Sequence, residues 1–349
     1  MPSKSSISTA AARAVGSHDP DPGIRNPDWL AERLLGSAER ALLADGPMDK
    51  ALDQNYREAI QRPEVAVLVL GNLVRTRFID KCLEHAIRAG AKQVVMLGAG
   101  FDSRAYRFRQ LLIQTRVIEV DYGPTQEYKK RRVLEVLGSI PSNLVYASID
   151  FNREKLIDVL SAAGYQTGEK TIFIWEGVSM YLPERTVRAT LLFVAGQSAP
   201  GSSIVFDFFS KSFVDGVAQD LLKKALAGQQ GVSLNVGSRR AADGEPWIFG
   251  LPDDGEHEFL RTTGLEPVSF LAIRGPEAVK RYATRRDGTT IQAPPITGRP
   301  ALNTRHAAVS GCGAWVSRAS NTPTRTNSAA VCANASPWPR AGSSIPTSC

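Results

Sequence analysis

Cysteine is scarce in this chain: there are four in 349 residues, and Cys312, Cys332 and Cys349 all fall beyond residue 290. Only Cys82 lies in the body, so there is no disulfide framework and no metal-ligand spacing, and Cys82 reads as a small core residue. Histidine is equally sparse, and none of His18, His85, His257 and His306 stands in a motif. Long apolar runs are missing as well. The longest, Val65 to Leu70 and on to Val74, is too short to span a bilayer, and no N-terminal segment resembles a signal peptide, so a cytoplasmic protein off the membrane is expected. Acidic residues are absent from 291–349, which carries Arg299, Arg305, Arg318, Arg325 and Arg340. Setting those five aside from the 42 basic residues leaves 37 against 35 acidic ones in residues 1–290. The formal charge of +7 therefore sits mostly in the tail, and the body offers no basic surface for nucleic acid. With 43% hydrophobic residues the chain can bury one large domain, or one domain with a small lid.

The most informative stretch is Gln93 to Tyr106, QVVMLGAGFDSRAY. An apolar run, Val94 to Leu97, ends in Gly98-Ala99-Gly100, and a second run, Val117 to Val120, ends in Asp121. A buried strand, a glycine turn, a helix and a strand tipped by a carboxylate make half of a nucleotide-binding sheet. Glycines let a backbone approach a ligand closely, and the carboxylate can accept hydrogen bonds from two ribose hydroxyls. A third glycine or alanine, which a pyrophosphate loop would carry, is missing: Ser103 stands there, behind Asp102, whose charge would repel phosphate. A nucleoside without phosphates fits better than a nicotinamide dinucleotide. A purely structural turn also fits the glycines.

Before this stretch, residues 1–24 read as a mobile arm with a short helix around Thr9 to Val15. Asn26-Pro27-Asp28 caps an expected helix from Trp29 to Leu43 with Trp29, Leu30, Leu34 and Leu35 on its apolar face; a second helical stretch covers Met48 to Ile60. Pro63 opens a long helix ended by Gly90. On that helix, Phe78, Ile79, Cys82, Leu83 and Ala86 share one side, and Arg75 falls in their midst at about 140° from Leu70, whereas Arg77 points away at about 340°. A guanidinium on an apolar face needs an anion or a route to water, so Arg75 is a candidate carboxylate clamp or the partner of a structural Glu.

After it, strands are expected at Val117 to Asp121, Leu144 to Ile149, Thr171 to Trp175, Ser202 to Asp207 and Glu266 to Ile273. Lys129-Lys130-Arg131-Arg132 reads as a solvated helix face. Asp150-Phe151 either meets an adenine edge and face or caps the next helix. Glu176, after the fourth strand, either faces the crevice at the carboxyl ends of the strands or accepts loop amides. Phe208 to Trp247 is too long for a simple crossover and reads as an inserted helical lid.

With Arg75, LGAGFDSRAYR, Glu119-Val120-Asp121, Asp150-Phe151 and the run Glu176 to Pro183 in order, residues 8 to 290 resemble the leucine carboxyl methyltransferase family, and most of all its bacterial, largely actinobacterial branch of S-adenosylmethionine-dependent O-methyltransferases. The resemblance implies a Rossmann-like α/β fold, a seven-stranded class I methyltransferase sheet with an N-terminal helical cover and the lid at 208–247. It implies that Arg75 holds the methionine carboxylate, that Gly98, Ala99 and Gly100 pass beneath the methionine, that Asp121 binds the ribose with Tyr122 beside it, that Asp150 and Phe151 hold the adenine, and that Glu176 sits near the amino group or sulfonium. The family's eukaryotic members add an N-terminal lysine; this chain offers only Lys4, at the wrong spacing. A substrate carboxylate needs no general base, which suits the lack of motif histidines and favours a small acidic acceptor, with Tyr181 orienting it or merely packing. A non-catalytic S-adenosylmethionine-binding protein and an NAD(P)-dependent oxidoreductase are the alternatives.

The methyltransferase domain is thus assigned to 25–290. Residues 291–349 change character, with seven prolines scattered through Ser, Thr, Ala and Asn, and they are expected to be disordered. No seventh strand is legible after Ile273, which suggests out-of-frame translation of the tail. The coding DNA tests this: an alternating strand should then be encoded in another frame beyond codon 290.

Overall fold

A computed structural model describes residues 2–44, 46–150, 153–216 and 244–291, together with the backbone of 312–318. The chain divides into Met1–Ala319 and Ser320–Cys349, and the second unit lies outside the described residues.

The apolar runs form strands because each is buried on both faces. β1 (Gln93–Leu97) sends Val94 and Met96 into one core and Val95 and Leu97 into another, so strict alternation is satisfied without polar positions. β2 (Arg116–Asp121) and β4 (Thr171–Trp175) flank β1 in parallel; β3 (Leu144–Ser148) pairs with β2, and β5 (Ser203–Phe208) with β4. Strand order reverses between β1 and β4, which opens a crevice at their carboxyl ends. Beyond β5 the ladder turns antiparallel, with β6 (Leu265–Ala272) at the edge and β7 (Cys312–Arg318) between β6 and β5. The full order is β3-β2-β1-β4-β5-β7-β6.

β7 corrects the expectation that no strand follows Ile273. Its sequence, CGAWVSR, lacks regular alternation, and the strand is specified by backbone pairing on both of its edges, which a side-chain pattern does not reveal. Pro267 is tolerated because β6 is an edge strand, and the register shifts between Pro267 and Ser269.

The N-terminal residues are also ordered differently from expectation. In place of a mobile arm there is a helix, α1 (Lys4–Ser17), capped by the Ser3 hydroxyl, which accepts from Ser6 N at 3.1 Å. Ile7, Ala10, Ala11, Ala14 and Val15 are buried, and α1 packs against the long helix α5 (Pro63–Arg88). An alanine-rich run has high helix propensity, and its short side chains let two helices approach closely. Between them lie α2 (Ala31–Leu34), α3 (Ser37–Ala41) and α4 (Tyr56–Ala59), so the single helix expected over Trp29 to Leu43 is broken at Leu35 and Gly36. Leu30, Leu34 and Leu35 are buried, but Trp29 is 51% exposed, contrary to its expected place on the apolar face.

The remaining helices are α6 (Arg104–Arg107), α7 (Gly123–Leu137), α8 (Leu156–Ala162), α9 (Glu184–Gly196), α10 (Lys211–Val214), α11 (Glu256–Thr262) and α12 (Pro276–Tyr282). Core residues of α1, α5 and α12 share one cluster with Val94 and Met96; those of α8, α9 and α11 share the other with Val95 and Leu97. The middle of the expected lid, 217–243, lies outside the described residues. No described helix is long and apolar enough to cross a membrane.

Candidate functional site

At the carboxyl ends of β1, β4 and β5, four arginines from α1, α5 and α6 meet five carboxylates. Arg104, 2% exposed, donates from Nε to Asp80 Oδ1 at 2.7 Å and from Nη1 to Asp102 Oδ2 at 2.5 Å and Glu176 Oε2 at 2.6 Å. Arg107 forks onto Asp80 at 2.9 and 3.0 Å and donates from Nε to Ser103 Oγ at 2.8 Å. Arg75 donates from Nη1 to Asp207 Oδ2 and from Nη2 to Asn72 Oδ1, both at 2.8 Å, and its Nε lies 2.9 Å from Glu176 Oε1. Arg13, reaching in from α1, donates to Phe101 O at 3.0 Å, and its guanidinium lies 2.9 Å from Asp28 Oδ2 and 3.7 Å from Glu176 Oε1. The charges nearly cancel, which is what allows so many of them to be buried together.

The two carboxylates that share Arg75 differ in character. Burial pushes Glu176 upward, but Arg104, Arg75 and Arg13 outweigh it and hold the carboxyl well below the usual range. For Asp207 burial prevails over Arg75, with Glu176 adding repulsion, and its pKa is raised. Asp207 also accepts Gly177 N–H at 2.6 Å, and its backbone carbonyl accepts from Ser179 Oγ at 2.6 Å. Arg75 is thus a buried cation at the crevice that two carboxylates of the chain, Glu176 and Asp207, engage, the pairing that the structural-partner reading expects. Arg77, expected to point away, donates to Tyr282 O and Arg25 O, each at 3.0 Å.

The glycine loop is held from both sides. Gly98 and Gly100 have φ of 65° and 42°, where a side chain is disfavoured. A Cβ on Gly98 would lie 2.5 Å from Val178 Cγ2, so the close approach this glycine permits here is that of the loop after β4. Ala99 is buried, and its N–H donates to Val120 O at 3.1 Å. Asp121 accepts Gly100 N–H at 2.5 Å on one oxygen and Tyr122 N–H at 2.7 Å on the other. Burial raises its pKa against the pull of those two amides, and Tyr122, 58% exposed, stands next to it.

The other expected site residues are less joined to this centre. Asp150 behaves as a turn cap: its N–H donates to Glu154 Oε2 at 2.7 Å, and its carbonyl accepts from Glu154 N at 2.8 Å. Phe151 lies outside the described residues. Tyr181 closes the 3-10 turn Ser179–Tyr181, and among the described residues its hydroxyl makes no hydrogen bond to the network. No group of three or more His, Cys, Asp or Glu side chains suited to a metal occurs among the described residues.

Arg13, Asp28, Asp80, Arg104, Arg107 and Asp207 escaped the sequence reading. The signal for Asp207 was present, since the rule that singles out a carboxylate following β4 applies equally to one at the end of β5. Arg13 had no such signal; it is the cation that the N-terminal helix contributes to the network.

Residues 6–195 match the family described as leucine carboxyl methyltransferase. A Streptomyces coelicolor protein provisionally named an S-adenosyl-L-methionine-dependent methyltransferase is 30% identical over 272 residues, which cover 78% of this chain and 82% of that protein. A Mycolicibacterium vanbaalenii protein with the same provisional name is 35% identical over 203 residues, covering 57% of this chain and 64% of its own. Among solved structures, a DUF574 family protein from Streptomyces avermitilis superposes with a TM-score of 0.47 at 15% identity, over 80% of this chain and 95% of that one.

Proposed function

Because this chain belongs to the leucine carboxyl methyltransferase family, we propose that it transfers a methyl group from S-adenosylmethionine to an oxygen of a small acidic metabolite, a carboxylate or an acidic hydroxyl. The observation that carries the reading is the Asp121 carboxylate at the tip of β2, beside the glycine loop. Each of its oxygens accepts one backbone N–H and keeps a lone pair, which suits two vicinal ribose hydroxyls. Asp102 is tied to Arg104, so its charge is spent inside the protein and does not face the crevice.

The residues present fit the cofactor. Asp121 would hold the ribose, with Tyr122, Asp150 and Phe151 toward the adenine. Arg75 is the cation for the amino-acid carboxylate, which would take over a hydrogen bond now held by Asp207, the carboxylate with the raised pKa. Glu176, kept ionised by three arginines, offers a fixed negative charge to the amino group or sulfonium. When bound, S-adenosylmethionine supplies a methyl group already activated on a sulfonium. The protein's task is then to hold the acceptor oxygen at near-attack distance, with Tyr181 orienting it, and a carboxylate acceptor requires no base.

Incubation with methyl-labelled S-adenosylmethionine and a panel of carboxylic acids and phenols tests this, with label expected in an ester or ether. Cofactor binding with no transfer to any acceptor supports the non-catalytic alternative instead.

A further inference from the structure

Residues 245–251 join the carboxyl ends of three strands, and their hydrogen bonds fix the path. Glu245 stands on the glycine-loop side: its two carboxylate oxygens accept Lys4 N at 3.1 Å and Ser5 N at 3.2 Å at the start of α1. Ser6, in the same turn, has its Cβ 3.8 Å from where a Cβ on Gly100 would stand. Ile248 and Phe249 then donate their N–H groups to Met180 O at 2.9 and 3.2 Å, in the turn after β4. Leu251 donates to Phe209 O at 2.9 Å, just past β5. The segment therefore bridges the crevice between β1 and β4, and Trp247 lies between the anchors on its two sides.

The Trp247 ring is 4.4 Å from that of Phe209 and 5.6 Å from that of Phe213, and Phe209 and Phe213 are 4.9 Å apart. Phe213 is buried and backs the other two, which are partly buried and leave ring surface open to a ligand. Trp247 Nε1 is itself buried and has no hydrogen-bond partner among the described residues. A buried indole N–H is normally satisfied, so this one points to an oxygen brought by a ligand. Donor and apolar faces belong to one cluster, so that oxygen must sit directly on the group that packs. A carboxylate would bring two oxygens against three apolar rings and one indole donor, leaving the second oxygen desolvated without a partner. A phenol brings one.

Resting on the methyl-transfer reading above, we propose that the acceptor is a phenol, its ring packed on Phe209 and Trp247 and its oxygen held by the Trp247 indole N–H. The anchors at Met180 place that oxygen at the crevice, next to Tyr181. A hydrogen bond donated to the oxygen favours the phenolate over the phenol, and the hydroxyl proton leaves to solvent water.

The test uses the full-length protein and 2-naphthol as probe. Naphthalene lacks the oxygen, decahydro-2-naphthol lacks the flat ring and 2-naphthoate replaces the hydroxyl by a carboxylate; all four are titrated calorimetrically with and without saturating S-adenosylhomocysteine. 2-Naphthol should bind about tenfold more tightly than each of the others. Trp247→Phe, which keeps a ring and removes the N–H, should lose about that factor for 2-naphthol and none for naphthalene. Phe209→Leu should weaken 2-naphthol and naphthalene alike. The chain has five tryptophans. With these labelled with nitrogen-15, the indole resonance missing from Trp247→Phe should move when 2-naphthol is added to the wild type and stay in place with naphthalene. Equal binding of 2-naphthol and any of the other three, unchanged 2-naphthol affinity in Trp247→Phe, or a Trp247 resonance that ignores 2-naphthol overturns the proposal. Should Trp247→Phe fail to fold, the wild-type contrast decides, together with whether any one indole resonance follows 2-naphthol but not naphthalene. A wild type that fails to bind S-adenosylhomocysteine counts against the methyl-transfer reading, whereas the titrations without it still test the phenol site.

Discussion

Arg104 carries Asp80, Asp102 and Glu176 on one guanidinium in a fully buried position. Removing it leaves three carboxylates facing one another with little solvent, so Arg104→Ala should lower the unfolding free energy by about 3–5 kcal/mol, as read by urea denaturation. Asp121→Asn should behave in the opposite way. Because burial raises the pKa of Asp121, its charge costs the folded state more than it costs the unfolded chain; loss of the charge should leave the melting midpoint unchanged or higher, while S-adenosylhomocysteine affinity falls more than about tenfold. A destabilised Asp121→Asn protein with full affinity would assign the carboxylate to the glycine turn alone. At this scale the sequence exposed residues that follow strands, Asp121 and Glu176, because topology alone gives them their place. It misplaced Asp102, read as a charge facing a ligand, since its partner Arg104 is identified only when the turn before α6 is folded. Asp80 and Arg107, separated by 27 residues, were illegible for the same reason.

Lys129 shows how an element can hide a residue. The run from Lys129 to Arg132 resembles a solvated face, yet α7 turns Lys129 inward, where its Nζ donates to Glu119 Oε2 at 2.7 Å and sits 5.6 Å from the Tyr106 ring. Burial pushes Glu119 up to about 7 although Lys129 pulls it down. A folded-state pKa raised from 4.5 contributes stability that is fully present below about 4.5 and is lost as pH rises through about 7. The melting midpoint of the wild type should therefore decline between about pH 5 and about pH 8 by a component that Glu119→Gln lacks. Parallel melting curves for the two proteins across that range would contradict the assignment. The α1 helix offers a second element-scale test. A mobile arm could be removed without cost, but deletion of residues 2–17 takes away a buried helix face and Arg13, and should lower the melting midpoint by several degrees and weaken cofactor binding. Composition suggested the arm, because Ser, Ala and Gly are common both in linkers and in closely packed helices.

For the whole molecule, the strands β1 to β5 could be read as apolar runs between helices, each buried on two faces. β7 could not, because pairing rather than side-chain pattern specifies it. Ending the chain before Cys312 would leave β5 and β6 with open edges, and such a protein should melt lower and scatter light on standing at concentrations where the full chain stays clear. If the truncated chain matches the full one in both respects, β7 contributes nothing to the sheet. The most direct test of a cofactor crevice built on Asp121, the glycine loop and the arginine network is calorimetric titration of the folded full-length protein with S-adenosylmethionine and, separately, with NADH. The expected result is micromolar binding of S-adenosylmethionine and none of NADH. Binding of NADH alone, or of neither by a folded chain, would contradict it.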